Sequence, residues 1–486
     1  MNSNSHNLLW GMSALDGRRT EIQTHQSKFA ETRNLWIDSN PYFYNQIKDL
    51  LKFIIEPHRR VLNVRCQTGF FLEAVQPSFG VGTEVSPEMT RIAKNHYPHH
   101  QFFTANPEDL PLQQLYDYIL FDSVSDTVDV LETFNNLRRL CYPHARLIIY
   151  TYNHMWQPII RIAEKLQLKM PMGEQNWLSE NDLKNLLYLA DFEWLKTYRV
   201  VLSPKKVPIL SDIANNILAH FPPFNKLCLV NVLIARPNPP ERNPNNTSVS
   251  VIVPCKNEHG NIESAVNRIP AMGRHTEIIF CDDKSTDGTA DEVRRMQALH
   301  PKRDIKLVDG PGICKAKNVW TGFEAAQEDI LMILDADLTV MPEELPNFFK
   351  AIIDGNGEFI NGSRLVYPMQ EMAMKPANMM GNKFFGAVFS YLLDQTIKDT
   401  LCGTKVLWRA DWQRIKSLLG SWGIEDRWGD YELLFGAGKR HLKIIDLPVH
   451  YQERVYGVTK MIRVFQNGMI MLRMCVAGFM KFKMRY

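Results

Sequence analysis

The feature that most constrains the fold is a segment near the middle of the chain, RPNPPERNPNNT at 236–247, which contains four prolines and four asparagines and no apolar periodicity. Such a composition is typical of a linker. On each side of it, short β-branched runs alternate with longer helical patterns, as in α/β folds with mostly parallel sheets. The 486 residues suffice for two or three domains, each with its own core. We therefore expect two α/β domains joined at this segment.

Composition narrows the class of protein further. Apolar residues make up 45% and charged residues 22% of the chain, which excludes disordered, collagen-like and multi-span membrane proteins. The net charge of +3 is too small to predict a nucleic-acid partner. The eight cysteines show no paired spacing, which favours reduced thiols over disulfides or a zinc site. Because there is neither a signal-peptide pattern nor an apolar stretch of about 18 residues, we expect a cytoplasmic protein without a membrane span.

Each half contains four apolar runs that predict strands. Four of these eight runs end in Asp or Gly, which places polar residues at the carboxyl ends of parallel strands, where open α/β sheets bind ligands. The predicted strands cover 60–66, 79–85, 116–122 and 145–153 in the first half, and 248–254, 276–283, 305–310 and 329–337 in the second.

Three acidic clusters follow strands of the second half: PCKNE (254–258), CDDKSTDGT (281–289) and LDADLT (334–339). Asp335 and Asp337 would point the same way on an extended chain, and two such carboxylates could hold Mg²⁺ or Mn²⁺ against a substrate diphosphate. Taken singly, these signals are weak. An Asp-x-Asp is more often a solvated strand end, and STDGT also suits a turn that caps a helix.

Order and spacing make these motifs specific. Five motifs follow one another over more than 200 residues: PCKNE, DDKSTDGT, DAD (335–337), GSR (362–364) and RVYGVTK (454–460). In this order they resemble the motifs of inverting family 2 glycosyltransferases with a GT-A fold, and specifically those of dolichyl- or polyprenyl-phosphate sugar transferases. The resemblance implies a nucleoside diphosphate sugar as donor and a polyprenyl phosphate or other glycan acceptor.

The resemblance also implies roles for individual residues. Lys256 replaces an aromatic residue that is frequent in the family, which leaves the identity of the donor's nucleobase open. Asp282 or Asp283 would bind the nucleobase or the ribose. The implied nucleotide-sugar contacts are Pro254, Lys256, Glu258, Asp282 and Asp283; those to the diphosphate are Arg364, Arg454 and Lys460; the metal ligands are Asp335 and Asp337.

Two further segments concern the acceptor. DTLCGTKVLWRADW (399–412) resembles the family's acceptor-side loop, with Leu401 and Cys402 inserted before the glycine. In WGDYELL (428–434), Asp430 or Glu432 would be the general base if the acceptor is a hydroxyl, which must lose a proton as it attacks. A phosphate acceptor is already ionised and needs no base. Glu432 is equally well a helix-surface acid.

The last 26 residues, 461–486, form a basic amphipathic segment. No acidic residue follows Glu453, while lysine and arginine recur among methionine, leucine and phenylalanine. The segment is too short and too basic to span a bilayer, but it suits a helix at an anionic membrane surface. The alternative is a terminal helix that docks on the protein's own core.

In the first half, VLNVRCQTGFF (61–71) resembles the V-L-D-x-G-C-G-T-G segment of class I S-adenosylmethionine-dependent methyltransferases, which have a Rossmann-like fold. The resemblance extends over most of residues 55–240 and implies cofactor contacts at Asn63, Gly69, Glu84 and Asn106. Three departures concern the cofactor: Asn63 and Asn106 replace aspartates, and Arg65 and Gln67 replace glycines. The role of this domain therefore has three alternatives. It transfers methyl groups, it binds the cofactor without catalysis, or it serves structure or partner recruitment.

These inferences predict an N-terminal extension (1–54), a methyltransferase-like domain (55–236), a linker (237–247), a GT-A domain (248–460) and the basic segment (461–486). The chain would be a metal-dependent glycosyltransferase, peripheral at the inner face of the membrane. The alternatives are a non-catalytic two-domain scaffold and a bifunctional methyltransferase and glycosyltransferase of surface glycan synthesis.

Overall fold

A computed structural model describes residues 3–368, 376–454, 456 and 464–484. The chain divides into two compact units between Pro239 and Pro240, and the second unit ends at Phe482. Each unit has a seven-stranded sheet with helices, which confirms the predicted α/β class.

The first sheet has the strand order β3-β2-β1-β4-β5-β7-β6. Its first five strands in this order are parallel, and β7 runs antiparallel to both β5 and β6. The strands are β1 Arg60–Val64, β2 Phe79–Glu84, β3 Gln101–Thr104, β4 Tyr116–Asp122, β5 Cys141–Tyr152, β6 Phe192–Val200 and β7 Val230–Pro237.

Helices cover both faces of this sheet. They are α1 Ser3–Lys28, α2 Arg33–Asp38, α3 Pro41–Ile54, α4 Phe70–Ala74, α5 Pro87–His96, α6 Val130–Arg139, α7 Gln157–Lys165, α8 Glu180–Leu189 and α9 Leu210–Asn216. One core lies between the sheet and α3 with α4, and another lies between the opposite face and α6 with α8.

The segment expected as an N-terminal extension contributes to the first core. On α3, the apolar side chains of Phe43, Ile47, Leu50 and Ile54 recur at helical spacing and are buried. They pack in the same cluster as Val61 of β1. Since α3 fills one face of the sheet, this part of residues 1–54 is integral to the first unit.

The second sheet has the order β10-β9-β8-β11-β13-β12-β14. Strands β8, β9, β10 and β11 are parallel, β13 is antiparallel to both its neighbours, and β14 is parallel to β12. The strands are β8 Val249–Cys255, β9 Thr276–Asp282, β10 Asp304–Asp309, β11 Ile330–Ile333, β12 Phe359–Ser363, β13 Lys405–Trp408 and β14 Ile444–Pro448.

The helices of the second unit are α10 His259–Arg268, α11 Thr289–Leu299, α12 Lys315–Ala325, α13 Leu345–Ile353, α14 Pro376–Leu393, α15 Arg409–Lys416, α16 Asp430–Lys439 and α17 Val464–Phe482. The main core joins β8, β9 and β11 to the buried faces of α10, α11 and α13. The carboxyl ends of β8, β9 and β11 therefore lie side by side at one edge of the sheet.

The linker prediction is wrong at its first residue. Pro237 belongs to β7 and pairs with Phe192 of β6, while the preceding Arg236 donates through Nε to Glu193, 2.9 Å away. Proline is tolerated as the last residue of a strand because no further ladder hydrogen bond depends on its nitrogen.

Most of the predicted C-terminal segment forms α17, which packs against α14 and α16. Met471, Met474 and Cys475 are buried, whereas Phe465 and Val476 are exposed. One face of the helix therefore docks on the protein, as the alternative prediction held. Across the part of the chain that the structure describes, none of the helices combines the length and hydropathy that a membrane crossing needs. Membrane contact by this segment stays a prediction.

Candidate functional site

A cavity of about 630 Å³ opens beyond the carboxyl ends of β8, β9 and β11. Its walls come from the three strand ends, the start of α12, the start of α16 and the segment before α17. Eight of the residues predicted from the sequence line it: Pro254, Lys256, Glu258, Asp283, Asp335, Asp337, Asp430 and Arg454. Asp282, Arg364 and Glu432 lie outside its walls, and Lys460 lies outside the described residues.

Glu258 lies between the end of β8 and the start of α10, and only 4% of its surface is exposed. Its Oε2 accepts a hydrogen bond from Nδ2 of Asn261 at 2.8 Å, and its backbone N–H donates to Thr289 Oγ1. The other oxygen faces the guanidinium of Arg454 at 3.7 Å. This carboxylate is thus held rigidly at the cavity wall.

The two aspartates after β9 have different surroundings. Asp283 lines the cavity, where it accepts from the backbone N–H of Gly312 at 2.7 Å and from Nζ of Lys256 at 3.2 Å. Asp282 accepts from the N–H of Ser285, and its buried Oδ1 has no hydrogen-bond partner among the described residues. Of the two aspartates that the sequence leaves open, Asp283 is the one in the cavity.

The sequence prediction that Asp335 and Asp337 lie on an extended strand is wrong. Strand β11 ends at Ile333, and the next residues form a turn closed by a hydrogen bond from Leu338 N–H to the Asp335 carbonyl. Leu338 takes a left-handed φ of 53°, and Asp337 Oδ1 accepts from the N–H and hydroxyl of Thr339. Aspartate favours such turns because its carboxylate bonds the backbone two residues on. Both carboxylates nevertheless reach the same cavity.

Two cations face these carboxylates. Lys315 Nζ lies 2.5 Å from Asp335 Oδ1, and Arg454 Nη2 lies 2.5 Å from Asp337 Oδ2. Burial acts to raise the pKa of Asp335, but the ammonium of Lys315 outweighs it and holds that pKa below its usual range. Burial likewise opposes the charge of Lys315, whose pKa is nevertheless raised by Asp335. Both members of this pair are therefore charged.

The two carboxylates suit a hard divalent cation. Mg²⁺ and Mn²⁺ prefer carboxylate oxygens, and Mg²⁺ is usually bound by one or two of them, with water and phosphate completing its shell. The backbone approaches closely here, because a Cβ on Gly403 would lie 2.1 Å from Asp335 Oδ2. Any larger residue at 403 would displace this carboxylate. Asp335 and Asp337 thus fit a metal site in donor type and position.

Sequence reasoning missed Lys315. It is the first residue of α12, after the turn at Gly312, which has a φ of 73°. Asn318, one turn further along the helix, also lines the cavity and donates to the carbonyl of Cys281 at 2.8 Å. The available signal was the GPG sequence at 310–312 followed by a helix that opens with lysine. Such a turn presents a helix start, and its first side chains, to the sheet edge.

Arg364 has a partner outside the cavity. Its Nε and Nη2 donate to Oδ2 and Oδ1 of Asp399 at 2.7 and 2.9 Å. Burial opposes the ionised form of Asp399, but Arg364 and a hydrogen bond from Asn382 hold its pKa well below the usual range. The same carboxylate accepts from Leu401 N–H, so this pair anchors the predicted acceptor-side loop. A contact of Arg364 with the diphosphate stays a prediction.

The two candidate bases also differ. Asp430, at the start of α16, lines the cavity, and its Oδ1 accepts from Nζ of the fully buried Lys405 at 2.7 Å. Glu432 is 5% exposed, so the alternative of a helix-surface acid is wrong. Its carboxylate accepts from Gly420 N–H, and burial raises its pKa. Residues two positions apart on a helix lie on nearly opposite sides, which separates Glu432 from the cavity that Asp430 lines.

In the first unit, Arg65 fills the turn after β1. Its side chain is 2% exposed, and its Nη2 lies 2.6 Å from Asp126 Oδ2 while its Nε lies 3.5 Å from Glu84 Oε1. Arg65 and Gln67 have φ values of 59° and 52°, so the left-handed turn persists without glycine. Glu84 accepts from the N–H groups of Gln67 and Val85, one at each oxygen.

The other implied cofactor contacts are spread around this turn. Asn63 is buried in β1 and donates to the carbonyl of Leu120, and Gly69 precedes α4 with a φ of 86°. Asn106 is exposed in a loop. Because the guanidinium of Arg65 and the chain's own N–H groups engage Glu84, the residues present do not fit S-adenosylmethionine in this arrangement.

Comparison with known families assigns both units. The family described as glycosyl transferase family 2 matches residues 250–414, and a family described as methyltransferase domain matches residues 39–197. The first match covers the strand ends that form the cavity. The second includes α3, in agreement with its place in the first core.

Individual relatives cover parts of the chain. A dolichol-phosphate mannosyltransferase of Pyrococcus furiosus is 36% identical over 24% of this chain, which spans only 33% of that protein. An undecaprenyl-phosphate mannosyltransferase of Micrococcus luteus is 26% identical over 44% of this chain and 87% of that protein. A solved S-adenosylmethionine-dependent methyltransferase of Thermotoga maritima is 17% identical, over 44% of this chain and 99% of that one, with a TM-score of 0.36. By the two family matches, the first half of the chain carries a methyltransferase domain and the second half carries a family 2 glycosyltransferase domain.

Proposed function

We propose that the second unit transfers a sugar from a nucleoside diphosphate sugar to a polyprenyl phosphate, with a divalent cation at Asp335 and Asp337. The observation that carries this proposal is that carboxylates from three strand ends line the same cavity as Lys315 and Arg454, which pair with two of them at the acidic turn. The nature of the acceptor rests on the names of the relatives, which are polyprenyl-phosphate sugar transferases.

The nucleoside would lie against Glu258 and Asp283. Carboxylates accept hydrogen bonds from ribose hydroxyls and from the N–H groups of a base. Both side chains are buried at their inner ends and held by backbone or side-chain donors, so little ordering is needed when the nucleoside binds. Lys256 stands where the family frequently has an aromatic residue, so the identity of the donor's nucleobase is to be determined by comparing UDP- and GDP-sugars.

The diphosphate would lie between the acidic turn and the two cations. A metal ion held by Asp335 and Asp337 would neutralise part of its charge. Lys315 and Arg454 would exchange their carboxylate partners for phosphate oxygens, since each lies in the cavity wall. As the sugar leaves, negative charge grows on the departing diphosphate, and cations that are already in position stabilise it.

The acceptor decides whether Asp430 acts as a base. A polyprenyl phosphate is ionised before it attacks, whereas a hydroxyl must lose its proton in the transition state. We therefore propose that Asp430 positions the acceptor side of the cavity through Lys405 and acts as a general base only towards a hydroxyl acceptor. In Asp430→Asn, the contact with Lys405 can persist, so transfer to a phosphate should be retained while transfer to a hydroxyl should be lost.

The first unit would have another role. Since Arg65 neutralises Glu84 and Asp126 inside the turn, we infer that this methyltransferase domain binds S-adenosylmethionine weakly and serves structure or partner recruitment. A polyprenyl phosphate acceptor resides in a membrane, so we further propose a peripheral location at its inner face.

The test is donor turnover by the full chain. UDP- and GDP-sugars are incubated with Mn²⁺, Mg²⁺ or EDTA, first alone and then with a polyprenyl phosphate or a glycan in detergent. We expect the release of nucleoside diphosphate with one donor, dependent on the metal and stimulated by the lipid phosphate. Stimulation by the glycan alone would replace the proposed acceptor, and turnover with none of the donors would favour the scaffold.

A further inference from the structure

The first unit exposes an unusually apolar surface, which we call the α7/α9 face. It consists of α7 with the residues flanking it (155–168) and the segment 207–227, which contains α9. On the first part, Ile159, Ile162 and Leu166 are 56 to 63% exposed. On the second, Ile209 and Leu210 are 72% and 67% exposed. A patch of this kind on a globular protein marks an interaction site rather than ordinary surface.

Hydrogen bonds join the two parts of the face at one end. Trp156 Nε1, just before α7, donates to the carbonyl of Leu227 at 3.0 Å, and Asn153 Nδ2 donates to the carbonyls of Lys226 and Cys228 at the same distance. The chain before α9 is held as well, because Asn215 exchanges two hydrogen bonds with the backbone of Ser203. Residues 207–227 are therefore tied to the start of α7 at one end and, through Ser203, to the segment that shares a cavity wall with α7.

An apolar cavity of about 270 Å³ adjoins this face. Its walls include Trp36 and Phe43, it shares Trp156, Ile159 and Leu168 with the α7/α9 face, and Lys205 of its wall lies at the edge of that face. A cavity lined by aromatic and aliphatic side chains, with two lysines on its wall, Lys169 and Lys205, suits a hydrocarbon chain that carries an anionic head.

Charge indicates what covers the face. Five exposed basic side chains lie within it or at its edge: Arg161, Lys165, Lys205, Lys206 and Lys226. Asp212 is exposed, and Glu164 is paired with Lys169 at 2.7 Å. Lysine is depleted at protein–protein interfaces. Lysines around exposed aliphatic side chains instead suit anionic lipid, where apolar groups enter the headgroup boundary and ammonium groups meet phosphate.

We propose that the α7/α9 face binds the surface of an anionic bilayer. The methyltransferase domain would then attach the chain to the membrane through its own surface, independently of the C-terminal segment. This inference goes beyond the proposed glycosyl transfer, since it concerns the first unit and holds whether or not the second unit turns over a donor.

The experiment measures binding of the full chain to vesicles of phosphatidylcholine with and without 30% phosphatidylglycerol, at low and high salt. Two variants alter the face: Ile209→Asp with Leu210→Asp, and Lys205→Glu with Lys206→Glu. The matched control is Tyr188→Asp with Leu189→Asp on α8, whose side chains are 76% and 57% exposed but lie outside the face. A further pair, Phe465→Asp with Val476→Asp, tests α17. Circular dichroism and donor hydrolysis are measured for every variant.

We expect wild-type protein to bind the anionic vesicles at low salt, with the partition coefficient falling about tenfold or more in each face variant and remaining unchanged in the α8 control. Failure of the wild type to bind would overturn the proposal. So would loss of binding only in the α17 pair, or face variants that bind the anionic vesicles as well as the wild type does. Because donor hydrolysis is a separate measurement, its absence would count against the proposed function and leave this result intact.

Discussion

Among single residues, burial determines the protonation state of Asp122 at the end of β4. It is 3% exposed, and burial raises its pKa to about 7 although Arg33 opposes the shift. Between about pH 4 and pH 7 the folded protein therefore holds a proton that the unfolded chain has released. The stability contributed by this group is full below about pH 4 and is lost as the pH rises towards 7.

Asp122→Asn removes this titration. We expect the melting temperature of the variant, relative to wild type, to increase from pH 4.5 to pH 7.5, with a free-energy difference on the order of a few kcal/mol. The measurement is thermal unfolding by circular dichroism at closely spaced pH values. Parallel profiles for the two proteins would show that Asp122 is ionised throughout this range.

The ion pair of Arg364 and Asp399 gives a second prediction for single residues. In Arg364→Ala, the carboxylate of Asp399 remains buried without its partner, which costs about 3–5 kcal/mol of stability. The matched control is Arg268→Ala, because Arg268 makes an equally short but exposed pair with Glu343 and should contribute at most about 1 kcal/mol. Urea unfolding compares the two. If Arg364→Ala keeps its stability and only raises KM for the donor, Arg364 contacts the diphosphate.

Among structural elements, the turn between β1 and α4 keeps the methyltransferase fold but carries substitutions that should weaken cofactor binding. Arg65 and Gln67 occupy the positions where the family has glycine, and Arg65 pairs with Glu84, one of the implied cofactor contacts. We predict that the natural chain binds S-adenosylmethionine with a dissociation constant above roughly 100 μM. A triple variant that combines Asn63→Asp, Arg65→Gly and Gln67→Gly should bind S-adenosylmethionine more tightly.

Calorimetry on the full chain measures both affinities, and circular dichroism checks that the triple variant folds without Arg65. Micromolar binding by the natural sequence would show that the turn rearranges to admit the cofactor. The single variant Gln67→Gly serves as the control, since it leaves the ion pairs of Arg65 in place.

The elements also show what sequence can predict. The apolar runs located β1, β2, β4, β8, β9 and β10 closely, because parallel strands covered by helices are mostly apolar along their length; the edge strand β10, DIKLVD, is only partly buried. The run at 329–337 was extended too far, since β11 ends at Ile333. Nothing in the local pattern distinguishes a strand from the turn that follows it, where the carboxylate of Asp337 bonds Thr339 and Leu338 takes a left-handed conformation.

For the whole molecule, the sequence motifs predicted both domain families and eight of the residues that line one cavity. Glu258, Asp283, Asp335 and Asp337 follow strands whose ends must meet at one sheet edge, so their approach follows from topology. Lys315 was missed because a lysine at a helix start carries no chemical pattern of its own. The pairing of Arg364 with Asp399 was missed because the two lie 35 residues apart in sequence. They come together only when β12 pairs with β13 in the folded sheet.

The central claim is that the cavity of the second unit turns over a nucleoside diphosphate sugar with a metal ion at the acidic turn. Asp337 is the most informative position, since its carboxylate lies at the cavity wall and its removal should not affect the core. The matched control is Asp354→Ala, which removes an exposed carboxylate paired with Lys350 at the end of α13.

The most direct measurement is therefore metal-dependent release of nucleoside diphosphate by wild type, Asp337→Ala and Asp354→Ala, with unfolding curves for each. We predict that Asp337→Ala loses at least about a hundredfold in kcat/KM (about 2.7 kcal/mol) while keeping its melting temperature, and that Asp354→Ala behaves as wild type. Unchanged metal-dependent turnover in a folded Asp337→Ala protein would contradict the account.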